Sequence, residues 1–157
     1  MPSERRAAYR SSPCYATAMR KASRRVTQLY DDALEPCGLR STQYAILAEL
    51  AARSAQHPTL AELAGALVTD RSSVGHNLRP LERDGYVALR EGEEDRRQRL
   101  IVLTERGLAK VQEARQLWQG VQENFQILYG EAECAALRTT LLDIAYDERL
   151  ATLAADA

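Results

Sequence analysis

Between Asp70 and Leu103 the spacing of apolar residues changes period once, and this change constrains the fold more than any other feature of the 157-residue chain. Val74, Leu78 and Leu81 recur at the three- and four-residue steps of an amphipathic helix. Asp70 stands where an N-cap accepts from the first turn, and Gly85 where a helix meets its stop. Past Gly85 the pattern becomes that of strands: Tyr86, Val87 and Leu89 open one, residues 91–97 form a polar tip, and Leu100, Ile101, Val102 and Leu103 return as a second. A helix feeding directly into a charged hairpin has one apolar face to bury, so the rest of the chain must cover it.

The flanking segments read as helices. Met19, Ala22, Val26, Leu29, Tyr30, Ala33 and Leu34 keep helical spacing across residues 14–35, and Pro36 and Gly38 end that run. Ser41 or Thr42 caps a second helix that turns Tyr44, Leu47 and Leu50 toward a core as far as about Arg53, and residues 54–58 are a connector. Thr59 stands three residues before Glu62, the capping-box spacing, and opens a short helix bearing Leu60, Leu63, Ala64 and Leu67. A tight turn at Thr69 joins it to the helix capped by Asp70. Beyond the hairpin, Thr104 caps a long helix through Leu108, Val111, Leu117, Trp118, Val121, Phe125 and Leu128 that halts near Gly130. A last helix covers residues 131–153, with Leu137, Leu141, Ile144 and Leu150 on one side. The expected fold is mainly α with one small hairpin.

A chain 45% hydrophobic and 27% charged suits one compact domain, or a small domain with helical extensions that needs a partner chain. No apolar run approaches the roughly 18 residues of a membrane span, and no apolar core follows the Arg-rich N-terminus, so the expectation is a cytoplasmic protein with no membrane partner. Cys14, Cys37 and Cys134 are far apart and read as reduced thiols, and neither CxxC nor HxxxH spacing occurs, so no metal or other cofactor is expected. His57 and His76 are the only histidines, and no nucleophile elbow or phosphate loop is present, which disfavours an enzyme. The net charge of -1 conceals segregation: Arg5, Arg6, Arg10, Arg20, Lys21, Arg24 and Arg25 stand against Glu4 alone in the first thirty residues. Of the 21 basic residues only Lys21 and Lys110 are lysines; the rest are arginines, the side chain suited to forked phosphate contacts.

Helix, tight turn, helix and charged hairpin together form a winged helix-turn-helix, in which the second helix enters the DNA major groove. With Val74, Leu78 and Leu81 inward, a turn of 100° per residue places Ser72, His76, Arg79 and Arg83 outward, with Ser73 and Asn77 on the flanks. Those types hydrogen-bond base edges or phosphates, and the amides of Arg71, Ser72 and Ser73 at the helix start suit a phosphate. Pro80 removes the bond to the His76 carbonyl and bends the helix, which either fits Leu81 to the core or angles Ser72 to Asn77 toward the groove.

Asp95-Arg96-Arg97, followed by Leu103-Thr104 and Gly107, resembles the signature that runs from wing to long helix in the MarR family of bacterial transcription regulators. Residues 70–87, DRSSVGHNLRPLERDGYV, resemble the family's recognition-helix pattern, and the likeness covers nearly the whole chain. The resemblance implies a homodimer whose N- and C-terminal helices interlock (residues 1–40 and 105–157), with residues 41–104 as the DNA-binding region on a palindromic double-stranded operator. By position, Arg97 resembles the wing arginine that enters the minor groove and Asp95 the acid that orients it through an ion pair, with Arg96 beside them. His76 falls where many relatives carry a larger cation.

The resemblance also suggests repression released by a small aromatic ligand or an oxidant. Tyr15, Met19, Tyr30 and Tyr44 are candidates for an effector pocket, though such a stripe equally serves a core. Cys14 lies near the reactive cysteine of the family's peroxide sensors, although aligning on Tyr30 puts that position at Ala16; Cys134 is a candidate partner for Cys14 across a dimer. Cys37, in a Pro-Cys-Gly turn, reads as a packing residue. The competing reading is a helical dimer whose winged domain binds a protein partner.

Overall fold

The computed structural model describes residues 13–53, 56–92, 95 and 97–153. Helix α1 (Tyr15–Leu34) takes Cys14 as its N-cap and gives way to a 3-10 turn (Glu35–Cys37). Gly38, at φ 73°, then admits the left-handed conformation that returns the chain into α2 (Ser41–Arg53). Asp31 of α1 reaches across this corner. Its Oδ1 accepts the Ser41 backbone N–H at 2.7 Å and its Oδ2 accepts from Arg40 Nη1 at 3.5 Å, so a side chain of one helix satisfies the open first turn of the next. Burial alone would raise the Asp31 carboxyl, but the hydrogen bonds from Ser41 and the Arg40 charge outweigh it and hold the group below its ordinary value.

Helix α3 (Leu60–Ala66) starts with the capping box: Thr59 N–H donates to Glu62 Oε2 at 2.7 Å, and Glu62 N–H donates to Thr59 Oγ1 at 3.3 Å. It ends in a Schellman pair, Val68 N–H to the Gly65 carbonyl and Thr69 N–H to the Ala64 carbonyl. Val68 holds the left-handed position of that motif at φ 49°, where a β-branched residue is strained. Helix α4 (Arg71–Arg83) follows, with Asp70 accepting from Ser73 N–H, and it continues through Pro80 to close on the Asp84 N–H.

Strands β1 (Val87–Glu91) and β2 (Arg99–Leu103) pair antiparallel, from Val87 opposite Leu103 to Glu91 opposite Arg99. The connector ahead of α3 also takes part. Ile101 N–H donates to the Pro58 carbonyl at 2.8 Å and Thr59 bridges to Leu100, so β2 is bonded on both edges. Thr104 caps α5 (Glu105–Tyr129), accepting from Gly107 N–H and donating to the Gly85 carbonyl at 2.7 Å.

Helix α6 (Glu131–Ala145) is shorter than the sequence pattern suggests. Residues 148–151 form a separate 3-10 turn, because Asp147 accepts the Arg149 N–H with its own carboxylate and offers the backbone a local alternative to the helix. The core lies under the helix-turn-helix: Leu34, Ile46, Leu47, Leu63, Leu81 and Ile101 are almost fully buried. Cys37 belongs to it, as the turn reading expected, with its thiol donating to the Leu34 carbonyl. The far end is different: α6 buries none of its residues, and Ile127, Leu128 and Tyr129 at the end of α5 are exposed beside it. No helix among the described residues is long and apolar enough to cross a membrane.

Candidate nucleic-acid interface

Helix α4 has three stripes. Val74, Leu78 and Leu81 are buried in the core. Ser72, His76 and Arg79 are exposed on the opposite side, as the periodicity predicts, and Arg71 is exposed at the helix start. Ser73 and Asn77 lie between these stripes and are held by neighbours. The Ser73 hydroxyl donates to Asp70 Oδ2 at 2.6 Å, while its N–H donates to Asp70 Oδ1 at 2.8 Å. Those two bonds, the hydroxyl's first, lower the Asp70 carboxyl below its ordinary value. Asn77 Nδ2 donates to the Ser73 carbonyl at 2.9 Å, and its Oδ1 accepts from the Thr42 hydroxyl of α2 at 3.0 Å. Thr42 was read from sequence only as a capping candidate for α2; a contact 35 positions away leaves no local pattern.

At the hairpin tip Arg97 is exposed, and Asp95 positions it differently from the resemblance. Asp95 Oδ1 accepts the backbone N–H of Arg97 at 2.9 Å, and no ion pair joins the two side chains among the described residues. The spacing explains the correction: an acid two residues before an amide closes an Asx-type turn, which leaves the guanidinium pointing to solvent. The Gln98 N–H bonds to the Asp95 carbonyl and the Gly92 N–H to the Gln98 carbonyl, completing the turn. Arg96 lies outside the described residues.

Ion pairing sorts the remaining arginines. Arg40 pairs with Asp31, Arg53 with Glu49, Arg83 with Asp84, and Arg99 with Glu91 at 3.9 Å. Arg71, Arg79, Arg90 and Arg97 are exposed and enter no ion pair among the described residues. Arg83, expected on the outward face, is therefore already neutralised.

Two of the candidate effector residues pack against α5 and two are exposed on α1. Tyr44 packs near Trp118, with ring centroids 6.3 Å apart, and Tyr30 accepts a hydrogen bond from Gln122 of α5. Burial raises the phenol of each. Tyr15 is 83% exposed and Met19 is exposed. A groove of about 260 Å³ lies elsewhere, between α3, α4 and the hairpin, lined by Leu60, Gly75, Leu78, Arg79, Leu89 and Ile101 among others. Of the two candidate redox residues, Cys14 is exposed, and hydrogen bonds from Thr17 together with the nearby Arg20 hold its thiol below the ordinary value. Cys134 is half-buried, its Sγ 3.7 Å from the Phe125 carbonyl.

Comparison with known proteins places this arrangement. The MarR family model matches residues 38–98, the span from the corner before α2 through the hairpin tip. The transcriptional activatory protein BadR of Rhodopseudomonas palustris is 33% identical over 101 residues, 63% of this chain and 54% of BadR, so the match spans about half of that relative. Among solved structures, the M. tuberculosis regulator MosR in complex with DNA superposes with a TM-score of 0.77 at 32% identity, over 89% of this chain and 99% of MosR. The repressor CouR, bound to a 23-mer DNA duplex, superposes with a TM-score of 0.76 at 26% identity, over 84% of this chain and 92% of CouR. These relatives are named as regulators of transcription, in agreement with the reading that disfavours an enzyme. With its winged helix-turn-helix matched end to end by MosR, the chain belongs to the MarR family of transcriptional regulators.

Proposed function

We propose that the protein binds double-stranded DNA sequence-specifically as a homodimer and acts in the cytoplasm as a repressor of transcription on a palindromic operator. The observation that carries this reading is the joint presentation of two surfaces. Helix α4 turns Ser72, His76 and Arg79 outward, and the hairpin beside it projects Arg97 without a neutralising partner among the described residues. The first fits the major groove, where side-chain donors and acceptors read base edges, and the second fits the narrow, negative minor groove. That MosR and CouR were each solved on DNA supports the transfer to this chain.

Dimerisation through residues 1–40 and 105–157 is supported by the apolar surface that the protomer leaves uncovered. Ile127 at 82% and Leu128 at 72% exposure continue into Leu137, Leu141 and Leu142 of α6, a patch of the kind that marks an interface. Release by a small aromatic ligand or an oxidant completes the proposal. Cys14 supports the oxidant, since an exposed thiol of lowered pKa is a reactive one; the rings of Tyr30 and Tyr44, beside α5, support the ligand.

The test is selection of genomic fragments by the purified protein, with and without peroxide and a panel of aromatic acids. The reading expects an enriched palindrome, affinity that falls steeply with salt, and loss of binding in one of the additives. Arg97→Ala should weaken binding to all sequences, and His76→Ala should change base preference. No enrichment above random DNA would refute the reading in favour of a winged domain that binds protein.

A further inference from the structure

Asn77 lies on the flank of α4, beside the outward stripe, and its carboxamide is held at both ends. Nδ2 donates to the Ser73 carbonyl one turn back. Only the nitrogen end carries hydrogens for a carbonyl, so this bond settles which end of the amide is which. Oδ1 then faces α2 and accepts from the Thr42 hydroxyl. Each bond uses half of its atom's capacity, which leaves one N–H on Nδ2 and one lone pair on Oδ1. A donor beside an acceptor on one planar amide matches N7 and N6 of adenine in the major groove.

We propose that Asn77 reads an adenine and that Thr42, on a different helix, is the positioning residue that sets the amide plane for that reading. The proposal rests on the DNA-binding function proposed above. Thr42 is suited to the task because it sits in the first turn of α2, the turn that Asp31 fixes from α1, so its hydroxyl has a defined origin. Without it, the terminal torsion of an asparagine is broad, and the Ser73 bond alone holds the nitrogen while leaving the oxygen end unsupported. Thr42 is exposed, so water replaces its hydrogen bond at little cost in stability, and orientation is separable from folding.

The full-length protein, as wild type, Thr42→Val, Thr42→Ser and Asn77→Ala, selects from randomised duplexes and is then titrated on its best site and on each single-base variant. A bidentate amide contact discriminates by about five- to 150-fold, so the wild type should prefer A·T by that factor at one position of each half-site. Asn77→Ala should abolish that preference. Thr42→Val, which keeps the side-chain shape without the hydroxyl, should lose most of it at the same position alone, with unchanged thermal unfolding and unchanged affinity for non-specific DNA. Thr42→Ser should restore it. Retention of the preference in Thr42→Val or Asn77→Ala, or an equal loss at every position in Thr42→Val, overturns the inference and leaves the DNA-binding reading standing. A wild type that selects no sequence overturns that reading as well.

Discussion

Gly107→Ala sets helix propensity against packing with opposite signs. Gly107 stands in the first turn of α5, where alanine would ordinarily gain about 1 kcal/mol over glycine. A Cβ built there lies 2.0 Å from the Tyr86 carbonyl oxygen and 2.7 Å from Leu103 Cδ1. Non-bonded carbon and oxygen meet at about 3.3 Å or more, so the carbonyl must retreat by roughly 1 Å. The same oxygen accepts the backbone N–H of Thr104 at 3.1 Å, and a retreat stretches that bond at the N-cap of α5. Overpacking against backbone costs about 1–3 kcal/mol, and the weakened bond adds about 1 kcal/mol. After the propensity gain, the net loss is about 2 kcal/mol, or about 4–8 °C in Tm for a protein of this size. Gly120, in the same helix, is the internal control. A Cβ there meets nothing within 4 Å, so Gly120→Ala should stabilise by up to about 1 kcal/mol. Thermal unfolding of both variants at one protomer concentration, held fixed because the proposed dimerisation would make Tm depend on it, decides the matter. A Gly107→Ala protein as stable as the wild type would refute the close-approach argument.

The corner between α1 and α2 should be sensitive to pH. The Asp31 carboxyl is held below its unfolded value of about 3.9, so its stabilisation is complete above that pH and is lost as pH falls through the lower folded value. Urea midpoints of wild type and Asp31→Asn should therefore differ at neutral pH and converge in acid; a constant gap would contradict the assignment. Tyr146→Phe removes the hydroxyl that donates to the Ala66 carbonyl at 2.8 Å and should cost about 1 kcal/mol or less, read by the same unfolding assay. Leu141→Glu, on the uncovered face of α6, should shift the protein toward monomer in light scattering while leaving each protomer's helical circular dichroism in place. Arg79→Ala should flatten the dependence of DNA affinity on salt, whereas Arg83→Ala, already paired with Asp84, should leave it nearly unchanged.

What was legible in the sequence was local. Asp70, Thr59 with Glu62, and Thr104 sit within four residues of the amides they cap, so type and spacing sufficed to place three helix starts. The buried stripe of Val74, Leu78 and Leu81 followed from period alone. Long-range contacts were not legible. Nothing in the connector announces that Pro58 and Thr59 bond to β2, since their partners Leu100 and Ile101 lie far along the chain. Asp31 and Thr42 serve helices other than their own, and a charge or hydroxyl on a helix surface carries no mark of its partner. The Asp95 case is intermediate. Its importance at the tip was visible through resemblance, but its bond runs to a backbone amide, which residue identity alone does not distinguish from an ion pair. The apolar pattern at Leu150 likewise extended the last helix too far, because the competing bond from Asp147 outweighs one well-spaced leucine.

The same local-to-distant division bears on how α4 is held at a fixed angle. A helix held only by one buried stripe resists sliding better than rolling, because apolar contacts are non-directional. With side chains about 5–6 Å from the helix axis, a roll of roughly 20° moves the outer tips by about 2 Å. That displacement exceeds the tolerance of a hydrogen bond to a base edge. Directional bonds from another element oppose such a roll at the exit of α4, where Thr104 donates its hydroxyl to the Gly85 carbonyl at 2.7 Å and its N–H to the Tyr86 carbonyl at 3.1 Å. Those ties lead straight into α5, a helix on the proposed dimerisation side of the molecule. The angle at which α4 presents Ser72, His76 and Arg79 is thus referred, through the N-cap of α5, to a helix that flanks the reading head, and the core stripe supplies the adhesion without supplying the angle, while Thr42 acts on the Asn77 amide alone.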